Sequence, residues 1–294
     1  MTFRCLFLPG CLACLFGGVS SASARDGFGS ASLAWVENVS RTSHPPDERD
    51  ALVAEARAGA AWTRALPANW TFTHSLDAAL GGSPDYDRLR TARLGGGLAL
   101  RHKFGLGPDA PALDVRAQLA RNASAIPGAD RWQASGALRL SRRWAEIWHV
   151  ALSAGWEEDL AESRTFDTGL ARLQLEFSWD LTPRWRLSAG AAQLRGAFTA
   201  DAAPLTWQAA LAGAAGARVA EYYRTVSRQV TGTYGSGWVS YRVRGDIRTG
   251  WIELSPALSD RSALALRYEH ALAENRAEVT YRQERWSLSW ISQW

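Results

Sequence analysis

Cysteine is the first scarcity. The 294-residue chain carries three, Cys5, Cys11 and Cys14, all close to its beginning. Once the opening segment is set aside the remainder has no thiol, which excludes a disulfide framework and a thiolate metal site. Lysine is nearly missing as well: Lys103 is the only one, so the positive charge is almost all arginine. Beyond residue 24 there is no apolar run near the ~18 residues that a membrane-crossing helix needs, and mean hydropathy is slightly negative at −0.21. Charge of one sign is also lacking. Formal net charge is +4, from 33 basic and 29 acidic residues, too even for an electrostatic nucleic-acid footprint. No glycine-rich loop leads from a strand into a helix, and Gly95-Gly96-Gly97 reads as strand glycine.

What is present begins with a leader. Arg4 supplies a positive start, Cys5 to Val19 is mostly apolar, and Ala22-Ser23-Ala24 has the small-residue pattern of a cleavage site. The expected division is a signal peptide at 1–24, cut after Ala24, and one domain at 25–294. A lipoprotein acylated at Cys11 or Cys14 is the rival, but Leu8-Pro9-Gly10 is a poor lipobox with little apolar sequence before it. Removing the leader takes away Arg4 and no acid, leaving +3.

The mature chain alternates. Trp70, Phe72, His74, Leu76, Ala78 and Leu80 fall on one side of an extended segment; Thr71, Thr73, Ser75 and Asp77 fall on the other. Leu113, Val115, Ala117 and Leu119 oppose Asp114, Arg116, Gln118 and Asn122. Leu173, Leu175, Phe177 and Trp179 oppose Arg172, Gln174, Glu176, Ser178 and Asp180. A period of two marks strands, not helices. A soluble sandwich alternates too, but its strands average ~5–6 residues, whereas a tilted strand crossing a bilayer needs ~9–11. These segments have the longer length.

Connections and tryptophans point the same way. Tight links near 67–69, 141–145 and 182–184 alternate with longer polar ones at 41–50, 81–90, 123–130 and 157–165. The 15 tryptophans are costly in a soluble core and useful at a lipid–water interface. Trp62, Trp70, Trp144, Trp148, Trp179 and Trp185 flank the tight links, as one membrane girdle would. At the end of the chain Trp286, Leu288, Trp290, Ser292 and Trp294 alternate to the final residue. That ending resembles the assembly signal of Gram-negative outer-membrane β-barrels, with tryptophan where phenylalanine is usual.

The resemblance implies an all-β, transmembrane, antiparallel up-and-down barrel in the outer membrane. Its expected partners are outer-membrane lipid, periplasmic chaperones and the barrel-assembly machinery, and the barrel is expected to be a monomer without nucleic acid. Strands are expected near 28–40, 52–66, 69–80, 91–104, 111–122, 131–142, 146–156, 166–180, 185–198, 246–255, 262–270 and 285–294. An even count puts both termini on the periplasmic side. The stretch 199–245 is read as a long outer loop that folds over or into the barrel, with an alanine-rich part at 205–220 able to form a helix. Two more strands, within 205–220 and 234–246, are the alternative, giving fourteen.

Turning the apolar faces to lipid leaves a charged interior. The expected channel-lining residues are Arg57, Asp77, Arg93, Asp114, Arg116, Arg139, Arg172, Glu176 and Arg186. Such a lumen is either salt-bridged shut or wet and anion-favouring. Enzyme signatures are missing. The twelve-stranded phospholipase class carries a His-x-Ser pair, and none of His44, His74, His102, His149 and His270 is followed by serine two positions on. His149 and Ser153 share a face, but four residues of strand separate them by ~13 Å. Glu157-Glu158-Asp159 reads as a solvated loop, as does Asp85-Tyr86-Asp87. Nothing calls for a cofactor or a metal. The function expected is a small porin-like channel for polar or anionic solutes; a loop-mediated surface protein and a hydrolytic barrel are the alternatives.

Overall fold

The computed structural model describes residues 24–294, so the leader and the three cysteines lie outside the described residues, apart from Ala24, which opens the first strand. The strands are β1 (Ala24–Glu37), β2 (Ala51–Leu66), β3 (Trp70–Gly82), β4 (Thr91–Lys103), β5 (Ala112–Ser124), β6 (Arg131–Trp144), β7 (Trp148–Ala161), β8 (Thr168–Thr182) and β9 (Trp185–Ala202). After two helices, α1 (Pro204–Ala212) and α2 (Ala217–Thr225), come a short β10 (Arg228–Val230) and three long strands. These are β11 (Val239–Ser259), β12 (Ser262–Asn275) and β13 (Thr280–Gln293).

Each long strand pairs antiparallel with its neighbour in sequence, β9 with β11 across the helical insertion. β13 returns to β1, with Trp35 opposite Trp286 and Phe28 opposite Gln293. Gly27 and Trp294 exchange backbone hydrogen bonds of 2.8 and 2.9 Å beyond that. The result is a closed barrel of twelve long strands, with β10 a short extra partner on β11. Closure satisfies the backbone donors and acceptors that an open sheet would leave on its edges.

Alternation sets the two faces. Leu76, Leu80, Leu94, Leu119, Leu138, Leu152 and Leu173 project outward and are 48–67% exposed. Asp77, Asp114, Ser141, Ser178 and Ser188, one residue out of phase, are buried on the inner face. At one end the links are tight except for 104–111 between β4 and β5: Ala68 and Asn69 (φ 57° and 62°) turn β2 into β3, and Ala145 and Glu146 (φ 49° and 61°) turn β6 into β7. Paired left-handed residues match the twist of a hairpin. Both described chain ends lie at this end. The connections 38–50, 83–90, 125–130, 162–167, 203–238 and 276–279 gather at the other, the longest being 38–50 and 203–238.

Three readings change. Glu157, Glu158 and Asp159 are not a loop: they continue β7, so they alternate between faces and cannot act as one carboxylate cluster. The stretch 199–245 is only partly loop, because β9 runs to Ala202 and β11 starts at Val239. Its periodicity was hard to see because it inverts there. Beyond Ala191 the outward positions turn polar (Gln193, Arg195, Thr199), while the inward ones turn apolar (Phe198, Tyr241, Val243). Third, 205–220 holds no strand. Pro204 opens α1 and Gly213, at φ 90°, closes it, the usual proline-first and glycine-last helix punctuation.

In the β9–β11 pair Gly196 faces Gly245. A Cβ on either would collide with a neighbouring strand's carbonyl, of Gly169 or Glu274, and Gly196 has φ 153°. Past this point lies the buried cluster of the molecule: Phe198, Tyr241, Val243, Ala273 and Tyr281 from the wall, Trp207 from α1 and Tyr223 from α2.

Candidate functional site

The inner wall is a set of cross-strand ion pairs. Asp77, its side chain 4% exposed, lies between Arg57 at 3.1 Å and Arg93. Arg131 reaches Asp159 at 3.2 Å, and Arg139 reaches Glu176 at 3.1 Å. Asp180 is held by Arg186 (2.6 Å) and by Arg143. Arg267 bonds Glu269 of its own strand at 2.6 Å, reaches Glu253 across on β11 at 4.0 Å, and lies 4.4 Å above the Trp251 ring. Register explains the pattern. Arg57, Ala79, Arg93, Asn122 and Arg131 occupy one continuous row across five strands, so Asp77 is one step from two arginines.

Other arginines stay wet. Arg101 and Arg172 are inward and exposed, as is Arg285, and among the described residues none has a carboxylate within 4.0 Å. Arg116 comes only to 3.9 Å from Asp114 and is also exposed. All nine residues expected to line a channel (Arg57, Asp77, Arg93, Asp114, Arg116, Arg139, Arg172, Glu176 and Arg186) stand on this inner face. The sequence reading placed Asp180 on this face with Arg172 and Glu176 but did not assign Arg131, Arg143, Asp159 or Arg285 to it. Arg143 and Asp159 lie beyond the strand ends expected at 142 and 156, whereas Arg131 and Arg285 open their expected strands.

Between β2 and β4, over the small residues Ala79 and Gly81 of β3, is a recess of about 320 Å³. Arg57, Arg93, Arg131, Glu55 and Asn122 line it. The Asn122 amide nitrogen is buried there with no hydrogen-bond partner. Arg93 is near the outer end of β4 and Arg101 near its inner end, so arginine is available along the height of the wall.

Above this wall the insertion 203–238 ties itself to the other long connections. Tyr234 Oη donates to Val39 O (3.1 Å), and Ala203 N donates to Asp47 Oδ2 (2.9 Å). Arg88 donates to Thr231 O, and Gln229 Nε2 to Pro127 O at 2.8 Å. Thr165 and Ser227 hydroxyls meet at 3.3 Å, and Arg218 bonds Glu278 at 3.0 Å. Burial and the nearby Asp201 push the Tyr234 phenol well above its ordinary range, so it remains a proton donor. The underside is aromatic: Trp207, Tyr223 and Tyr241 border a cavity of about 520 Å³ that His44 also lines.

The tryptophans of the expected girdle, Trp62, Trp70, Trp144, Trp148, Trp179 and Trp185, point outward near the tight-turn end. Trp62 stacks on His74 at 5.1 Å, Trp70 meets His102 at 4.4 Å, and Trp148 stacks on Trp179 at 4.8 Å. Trp35, Trp132, Trp156 and Trp286 form a second outward set toward the other end, each 45–53% exposed. Trp286, Leu288, Trp290 and Trp294 are outward and 44–60% exposed. His149 and Ser153 share a face, and no hydrogen bond joins them.

No protein-family model and no curated protein sequence matches the chain. Solved structures do. An outer-membrane channel from Pseudomonas putida F1 superposes with a TM-score of 0.56 at 9% identity, over 94% of this chain and 97% of that one. The outer-membrane channel DcaP of Acinetobacter baumannii gives 0.43 at 8% identity, over 92% and 97%. The first likeness shows that this chain has the fold of an outer-membrane channel barrel.

Proposed function

We propose that the protein is a porin-like channel in the outer membrane of a Gram-negative bacterium, passing small polar solutes with a preference for anions. The observation that carries this reading is the state of the inner wall: Arg101, Arg116, Arg172 and Arg285 face the barrel axis and are exposed. A guanidinium away from carboxylates needs water, because a dry unpaired charge costs several kcal/mol. The interior is therefore wet between its salt-bridged patches, and its surplus charge is positive, as in pores that favour anions.

The recess of Arg57, Arg93, Arg131 and Asn122 is the first station for a carboxylate or phosphate entering from the outer end. The insertion 203–238 is the constriction. The outward leucine belt between two tryptophan sets matches an apolar band ~25 Å tall. A signal peptide cut after Ala24, insertion by the barrel-assembly machinery and a monomeric state complete the reading.

Planar-bilayer recording on refolded protein tests it. The expected result is a small conductance whose reversal potential in a salt gradient favours anions. Arg116→Ala with Arg172→Ala should lower that preference. If neither the full barrel nor one with 203–238 replaced by a short turn conducts, the channel reading fails.

A further inference from the structure

The outside of the barrel carries a second set of arginines. On the outward faces of β9 and β11, Ala189 pairs with Ile252 and Ala191 with Gly250, the last rungs of the apolar belt. The next outward rungs are Gln193 with Arg248, Arg195 with Asp246, Ala197 with Arg244 and Thr199 with Arg242. The intervening residues, Tyr241 and Val243, are buried in the cluster beneath the insertion. Alternation therefore fixes the direction of these arginines: away from the interior, on the side where Ile252 is 48% exposed.

They surround a recess of about 290 Å³. Gly169, Gly196, Ala197 and Gly245 line it between the arginines and contribute no side chain larger than a methyl group. Its rim is Arg195, Arg242, Arg244 and Arg276, with Asp246 the one lining acid. Asp246 lies 3.8 Å from Arg195. Among the described residues Arg242, Arg244 and Arg276 have no carboxylate within 4.0 Å, and Arg242 Nε is buried with no hydrogen-bond partner. Most lumen arginines meet an acid across a strand, whereas Arg242, Arg244 and Arg276 converge with no ion pair of their own among the described residues. A like-charged cluster is stabilised by an anion from outside, and a guanidinium fork matches phosphate oxygens in spacing and plane.

We propose that this recess binds a phosphate group on the headgroup of an outer-leaflet lipid, held by Arg242, Arg244 and Arg276 from outside the barrel. Its position supplies the choice of source: it begins at Arg195 and Asp246, two outward rungs above the apolar belt, at headgroup depth, and opens outward. The inference rests on the membrane placement proposed above and not on conduction, so a barrel that passes no current can still bind the lipid.

The test uses the full refolded barrel in detergent, with native mass spectrometry as the readout. The probes are lipid A, the same lipid with its phosphates removed, and inorganic phosphate. Retention of lipid A but not of the dephosphorylated form is expected. Arg244→Gln and Arg276→Gln, both at exposed positions, should each weaken binding about tenfold, the scale of one charge-assisted hydrogen bond. Heat-modifiable mobility on a gel should be unchanged, showing the barrel intact. Equal retention of the dephosphorylated lipid overturns the proposal, and so does unchanged binding in the variant lacking all three arginines. Inorganic phosphate that displaces lipid A at millimolar concentration would make this a free-anion site and sink the lipid assignment.

Discussion

At the scale of single residues, the inner wall is governed by who has a partner. Asp77 is buried between two arginines that reach partly into water. Asp77→Ala leaves both without a counter-charge, but lumen water screens them, so the expected loss is about 1–2 kcal/mol, below the cost of breaking a fully buried pair. Urea-gradient unfolding in detergent measures it. The same variant should shift the reversal potential further toward anions. Arg101 and Arg172 are the opposite case, since losing either should leave stability almost unchanged and alter selectivity alone. A separate residue-scale effect sits in the tight turns. Ala68 and Ala145 hold φ of 57° and 49°, where a Cβ is disfavoured. Ala145→Gly should stabilise the barrel by about 0.5–1 kcal/mol in the same assay. The sequence disclosed the charged residues of the wall through alternation alone. It did not disclose that Arg139 bonds Glu176 at 3.1 Å and not Asp114, its neighbour in register, because side-chain reach is not a property of spacing.

At the scale of elements, the insertion between β9 and β11 is the part with a choice of state. Its helices have nine residues each and are too short to be stable alone. They persist because Trp207 and Tyr223 pack on wall residues and because hydrogen bonds tie the insertion to the other long connections. Trp207→Ala should remove about 3 kcal/mol of that packing without touching the closed strand ladder. The expected outcome is a larger, noisier conductance and faster proteolysis within 203–238, with the barrel's heat-modifiable mobility retained. If Trp207→Ala leaves both conductance and proteolysis unchanged, the insertion does not constrict the path. This element was the least legible in the sequence. Outside the apolar belt, β9 and β11 lose the lipid that made their outward face apolar, and they gain helices that make their inward face apolar. The two-residue period survives, but its sense reverses, so a rule tuned to lipid on one side reads the stretch as a loop.

At the scale of the whole molecule, ring closure dominates. β1 and β13 pair along ten rungs, and the last residue extends the ladder. Such a barrel stays folded on a gel at room temperature and unfolds on heating. Truncating after Glu284 removes most of the β13 edge and should abolish that heat-modifiable band. The mature protein should also require detergent, since its leucine belt is exposed around the whole circumference.

The sequence by itself determined the strands, their faces and the sign of the wall, because those follow from a local period and from the exclusion of charge from hydrocarbon. Tertiary structure alone decided which charges are paired and which are wet. It also decided how the insertion is anchored over the mouth, and that Arg242, Arg244 and Arg276 meet on one outward recess. Those relations join residues far apart along the chain, and only the register of a closed sheet brings them within reach of one another.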